Sequence, residues 1–195
     1  RTSVVGLGSS LGSISIGRQA TPLKDGVDKL VDAQGDSTFS AFTRAAAVSI
    51  TNNKSPYTAR VNSSVRYDLP DNLNGFRGAL IAGQATSSSA PGPVKDRIFG
   101  LSLGYVQPGS WAIGFAHQTE QNGQNTVPVG VGGTGLTVGG NKITIDYLAG
   151  AVATPVGKVT LGFGGGSVAG VTGHDRGWNI GWMAPVGSWT FVAQY

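Results

Sequence analysis

The chain has 195 residues, 32 of them glycine, with only 12% charged residues and a net charge of +4. That much glycine excludes a mainly helical protein, because each glycine in a helix interior costs ~1 kcal/mol relative to alanine. Regular apolar alternation at so low a net charge excludes disorder, and the absence of cysteine excludes disulfides and thiolate metal sites.

The length fits a single domain over residues 1–195. No run of 18 apolar residues is present, so a transmembrane helix is not expected. A transmembrane barrel stays open, since its strands need only ~9–11 residues each. No signal peptide is visible in the sequence and the strand pattern begins by Thr2, so a longer chain, of which this is a part, is an open expectation.

Alternation of side chains predicts ten strands, at about 2–9, 12–18, 60–69, 75–86, 96–107, 110–119, 142–154, 158–168, 176–184 and 189–195. Short connections carry turn chemistry, as in Ser9–Gly12, Pro70–Gly75, Pro108–Ser110, Pro155–Gly157 and Pro185–Ser188. Long polar ones lie between them at Gln19–Arg60, Thr86–Lys95, Glu120–Asn141 and Gly170–Arg176. Short at one end and long at the other is the layout of an antiparallel up-and-down barrel.

Gln19–Arg60 is too long for an ordinary connection. It holds Leu23, Val27 and Leu30, with Asp25, Asp28, Asp32 and Asp36 ahead of Arg44, Lys54 and Arg60. Apolar groups and sorted charges predict a loop that folds back into the barrel.

The strands carry large apolar residues on one face and Gly, Ser, Thr or polar residues on the other. In one, Phe99, Leu101, Leu103 and Tyr105 oppose Ile98, Gly100, Ser102 and Gly104. Large residues would fill a soluble barrel or sandwich, but they face lipid in a membrane barrel. Tyr67, Phe76, Tyr105, Trp111 and Trp189 fall on the apolar parity close to the short turns, where an interfacial aromatic belt sits. The membrane barrel is therefore favoured over a soluble β-sandwich with a binding loop. By parity Arg66 points into the lumen, and so do Arg77, Lys142, Asp146 and Lys158. Fixed charges around a water-filled constriction bias which ions pass.

Gly6–Gln19, closing on Gly17-Arg18-Gln19, then a long loop, then Arg60–Pro70 with Asn62-Ser63-Ser64-Val65-Arg66-Tyr67, resembles the general diffusion porins of Gram-negative bacteria, particularly those of Burkholderia and Neisseria relatives. The resemblance is specific over about residues 3–83. It implies a trimeric outer-membrane channel of sixteen strands, ten of them in this chain, with an inward constriction loop at 19–60. By position it makes Arg18 and Arg66 wall arginines, with Arg60 beside them; Arg77 joins this pore lining by its parity alone. Some of Asp25, Asp28, Asp32 and Asp36 would face them across the eyelet.

The implied partners are membrane lipid and lipopolysaccharide, two further copies of the chain, and small hydrophilic solutes with a modest preference for anions. Two departures stand out. Leu11 occupies a place where the family usually has an aromatic, and ten strands are too few, so either six are missing or this barrel is smaller. Arg18 also shares parity with Ile14 and Ile16, so reaching the lumen requires a twist or bulge at Gly17.

Enzyme motifs are poor. Gly130–Gly135 matches a dinucleotide fingerprint in form only, because it follows Pro128 and leads into a strand. His117 is expected at the outer interface, and His174-Asp175 near Ser167 lacks a placed nucleophile. Two histidines without ligand spacing make no metal site, and the dispersed cations make no nucleic-acid patch. A non-enzymatic protein without metal or cofactor is expected. The competing reading within the membrane is a non-conducting barrel, either an adhesin or a lipid-modifying enzyme.

Overall fold

The computed structural model describes residues 2–28, 60–87, 94–121, 127–129, 136–138, 142–169 and 174–194. Among the described residues there are twelve strands: β1 (Ser3–Ser9), β2 (Gly12–Ala20), β3 (Arg60–Asp68), β4 (Phe76–Ser87), β5 (Val94–Gln107), β6 (Trp111–Gln121), β7 (Val127–Val129), β8 (Leu136–Val138), β9 (Lys142–Thr154), β10 (Gly157–Val168), β11 (Asp175–Val186) and β12 (Trp189–Gln194). Ten form one antiparallel sheet in chain order, β1-β2-β3-β4-β5-β6-β9-β10-β11-β12. These are the ten predicted strands, displaced by no more than a few residues. The short pair β7-β8 lies within the expected Glu120–Asn141 loop and forms its own small sheet.

Turn chemistry sets the short connections. Gly12 adopts φ of 121°, where an L side chain is strained and a Cβ would run into the Asp68 carbonyl. The Tyr67 hydroxyl donates to the Leu11 carbonyl and ties the first hairpin to β3. At the same end Tyr105 packs against Phe76 with ring centroids 4.9 Å apart, and against Trp111 at 5.2 Å. The expected belt is thus partly a contiguous aromatic cluster.

The two faces of the sheet separate as anticipated over most of its area. Leu103, Phe115, Leu161 and Phe163 are exposed, whereas Ser102, Ala116, Thr160 and Asn179 are buried. The buried face is less uniformly small than its composition predicted. Val61, Ile81 and Ile98 form an apolar cluster there, and Ile143, Ile145 and Tyr147 are also buried. The Tyr147 ring lies across Gly162 and Gly164 of β10, and its hydroxyl reaches the Asn179 side-chain oxygen on β11.

In β9 the alternation runs opposite to the size rule. Ile143, Ile145 and Tyr147 point inward, leaving Lys142 and Asp146 exposed on the outer side with Leu148 and Val152. The expectation that Lys142 and Asp146 line the lumen is therefore corrected. Asp146 instead meets His117 of β6, Nδ1 to Oδ1, at 2.7 Å. Register decides this: Leu148 pairs with Phe115 and Val152 with Trp111, both on the outer side.

Candidate functional site

The chain leaves β2 at Ala20 and turns inward. Thr21-Pro22 leads into a wide π-helical turn, Leu23–Asp28, whose Asp25 amide donates to the Thr21 carbonyl at 3.0 Å. The turn packs on the inner face of β4, β5, β6 and β9. Leu23 and Val27 are fully buried and Lys24 nearly so. The inner face has room for the turn because its side chains are small. A Cβ on Gly26 would lie 2.5 Å from the Ser102 hydroxyl, so the close approach requires glycine at that point.

Arg66 of β3 pins the turn to the wall. Its Nη1 donates to the Ala20 carbonyl and to Asp25 Oδ2, both at 2.9 Å. Its Nε and Nη2 grip the Asp68 carboxylate at 3.0 and 2.6 Å. The side chain is only 13% exposed, yet five donor–acceptor contacts, to two carboxylates and one carbonyl, compensate its burial. A second polar knot lies just behind it. Gln19 Nε2 donates to Ser64 Oγ at 3.1 Å and to the Ser15 carbonyl at 3.2 Å, while Ser64 Oγ donates to the Gly17 carbonyl at 2.9 Å. These bonds fix the point at which the loop departs from β2.

Beside the turn is a cavity of about 400 Å³ whose charged lining is Lys24, Asp25, Arg60, Arg66 and Asp68. A second space, of about 480 Å³, continues from Asp25, Arg66 and Asp68 toward Asp71 and Arg77 at the short-turn mouth. The structure thus brings Arg60, Arg66 and Asp25 together, with Arg77 further along the wall. Asp28 belongs to the turn; Asp32 and Asp36 lie outside the described residues.

Arg18 is not at this cavity. Between β2 and β3 the pairing passes from Gly17↔Ser64 to Gln19↔Val61, so the extra residue belongs to β3 at Asn62-Ser63. Strand β2 keeps its alternation, and Arg18 stays on the exposed side with Ile14 and Ile16, donating to the Asn62 side chain. The expected wall arginine is therefore an outer-face residue. Lys24 and Asp68 were missed as site residues. The Arg66-Tyr67-Asp68 spacing, which places Asp68 on the Arg66 face, was the available signal.

Among the described residues no group of three or more His, Asp or Glu side chains is placed to hold a metal. No described helix is long and apolar enough to cross a membrane, which says nothing of crossing by strands.

An up-and-down sheet with an apolar outer face, aromatics at its short turns and a loop pinned inside defines an outer-membrane β-barrel protein. The match to a family model over residues 1–195 agrees: the chain belongs to the Gram-negative porin family and is a protein of the bacterial outer membrane. No curated protein sequence matches it. Among solved structures it is similar to the loop-L8 deletion mutant of OmpT, an outer membrane protein of Vibrio cholerae. That likeness has a TM-score of 0.70 at 15% identity, covering all of this chain and 60% of that one. In-vitro folded OmpT of the same organism matches with a TM-score of 0.43 at 14% identity, over 100% and 68% of the two chains. The first likeness shows the fold, and this chain spans 60% of that structure's length.

Proposed function

We propose that the protein is part of a water-filled channel for passive diffusion of small hydrophilic solutes and ions. The observation that carries this reading is the inward turn, Leu23–Asp28, held against the wall by the Arg66–Asp25 ion pair at 2.9 Å. A turn held there narrows an aqueous lumen at one level and surrounds the gap with fixed charge. No chemistry on the solute is proposed.

Among the described residues the charged lining of the smaller cavity comprises Lys24, Arg60, Arg66, Asp25 and Asp68. A modest anion preference is expected of this lining as a whole, weaker than an open wall of arginines would give, because Arg66 is already matched by two acids. Such a field reaches about 8 Å at physiological salt and weakens as salt rises.

Planar-bilayer recordings test the reading. Stable ohmic steps are expected, with reversal potentials favouring anions at low salt. Arg60→Gln should move those potentials toward cations with conductance little changed. A barrel that inserts but passes no current would sink the channel, in favour of the non-conducting alternative. Family membership further supports assembly as a homotrimer; cross-linking in mild detergent that yields monomer alone would remove that part.

A further inference from the structure

The turn Leu23–Asp28 does not rest on a flat wall. Inward-facing residues of neighbouring strands align as Ala79 of β4, Ser102 of β5, Ala116 of β6 and Tyr147 of β9. The first three are small and buried, and the bulky Tyr147 closes the row. Two residues nearer the long loops, the next row is Ile81, Gly100, Gln118 and Ile145, with the glycine between bulky neighbours. Strand β5 thus presents Gly100 and Ser102 in succession under the turn.

Both meet it. A Cβ on Gly100 would lie 3.4 Å from Pro22 Cδ, just before the turn begins. A Cβ on Gly26 would lie 2.5 Å from Ser102 Oγ and 2.7 Å from Ser102 Cβ. Only a glycine fits over this serine, and no slack is left between them.

Opposed forces fix the depth of the seat. Leu23 and Val27 are fully buried, and loss of their apolar area from water draws the turn toward the wall. Close-packed atoms do not yield to one another, so the side chain at position 102 stops the approach. Arg66 reaches Asp25 from β3, to one side of β5 and β6, so that ion pair ties the turn laterally. Depth is left to the contact below.

The height of the turn above the wall subtracts from the bore on its other side. We propose that Ser102, together with Gly100, sets the width of the constriction from behind the turn. This rests on the channel reading above. Ser102 is a positioning residue, 5% exposed and covered by the turn, so solutes pass without touching it. A smaller side chain there lets the turn sink and widens the passage; a larger one lifts it and narrows the passage. No charge moves with the substitution, so bore and ion preference are set by different residues.

Planar-bilayer recordings, with liposome swelling in neutral sugars of increasing size, test this on Ser102→Gly, Ser102→Ala, Ser102→Thr and Ser102→Leu. Single-channel conductance and the sugar cut-off should rise in the first two and fall in the last two. From Gly to Leu the conductance should change roughly twofold. Reversal potentials at low salt should stay those of the parent. Gly26→Ala should act like Ser102→Thr, and Gly26→Ala/Ser102→Gly should restore the parent conductance, as for two partners in one contact. Heat-modifiable migration on gels reports folding of each variant. If Ser102→Leu does not fold, the Gly, Ala and Thr variants still carry the two opposed directions.

Equal conductance in Ser102→Gly, Ser102→Thr and the parent would overturn the proposal. A fall in both variants would mark a loss of packing alone and overturn it as well, because a purely structural contact gives no increase. Reversal potentials that moved in step with conductance would put position 102 in the field of the eyelet and overturn a role confined to bore. A parent barrel that inserts without passing current removes the channel and this inference together. A conducting parent with unresponsive variants removes the inference alone.

Discussion

Arg66 and Arg97 are arginines on the same sheet, two strands apart, and the chain treats them in opposite ways. Arg66 points inward and receives two carboxylates and a backbone carbonyl. Arg97 points outward beside Phe99 and has no ion-pair partner among the described residues. A charge on the inner side sits against protein that must also be held in place, so its donors are committed to holding the turn. A charge on the outer side has a medium that changes along the strand, and it is tolerated only near the edge of the apolar band. Charge sign alone therefore says little about selectivity here. An arginine saturated by its own chain acts as a fastening, and one left unsaturated is available to a ligand.

Moving an arginine along the outer face gives the largest expected effect. Leu103→Arg places the cation inside the apolar band, six residues from Arg97, and should cost about 2–4 kcal/mol, read from urea unfolding in lipid vesicles. An unchanged midpoint would reverse the assignment of faces. Next is Arg66→Ala, which leaves Asp25 and Asp68 without their cation. Breaking a fully buried pair costs more, but Asp25 is 25% exposed, so about 2 kcal/mol is expected. The variant should also show noisier, larger single-channel steps and a shift toward cations. Unaltered channel noise would mean that Arg66 does not hold the turn.

Gly26→Ala is smaller in scale. The new Cβ crowds Ser102, and overpacking of this kind costs roughly 1–2 kcal/mol, partly recovered in a Gly26→Ala/Ser102→Gly double variant. No recovery in the double variant would show that the turn does not seat on β5 at that point. Arg97→Ala should change stability by less than about 0.5 kcal/mol, as for an exposed residue without partners. A large loss there would erase the contrast with Arg66.

The strands were legible because their side chains repeat every two residues and the turn glycines punctuate them. The inward course of the loop was legible from Leu23 and Val27, apolar groups with no other place to go. What failed was the assignment of faces by size where the pattern reverses. In β9 the bulkier Ile143, Ile145 and Tyr147 are inside, and only pairing with β6 shows that Lys142 and Asp146 are outside. Arg18 failed for a related reason. A bulge was anticipated, but the extra residue sits on β3, and nothing local to β2 reveals which partner carries it. The turn's seat on Ser102 depends on a glycine and a serine 76 positions apart, a contact with no local pattern.

Tyr147 bears on a dimension that no single strand determines. The bore of a closed cylinder of strands is set by their number and by the stagger accumulated around it. A slip of one residue between neighbours would turn every side chain to the wrong face, so stagger errors that keep the faces come in steps of two. A two-residue slip that brings Thr160 beneath the ring puts a side chain where only glycine hydrogens fit. The opposite slip, with β11 carried along by its pairing to β10, draws Asn179 away from the hydroxyl. One aromatic ring resting on two glycines thus acts as a detent in the seam between three strands. It contributes to a length measured around the whole circumference.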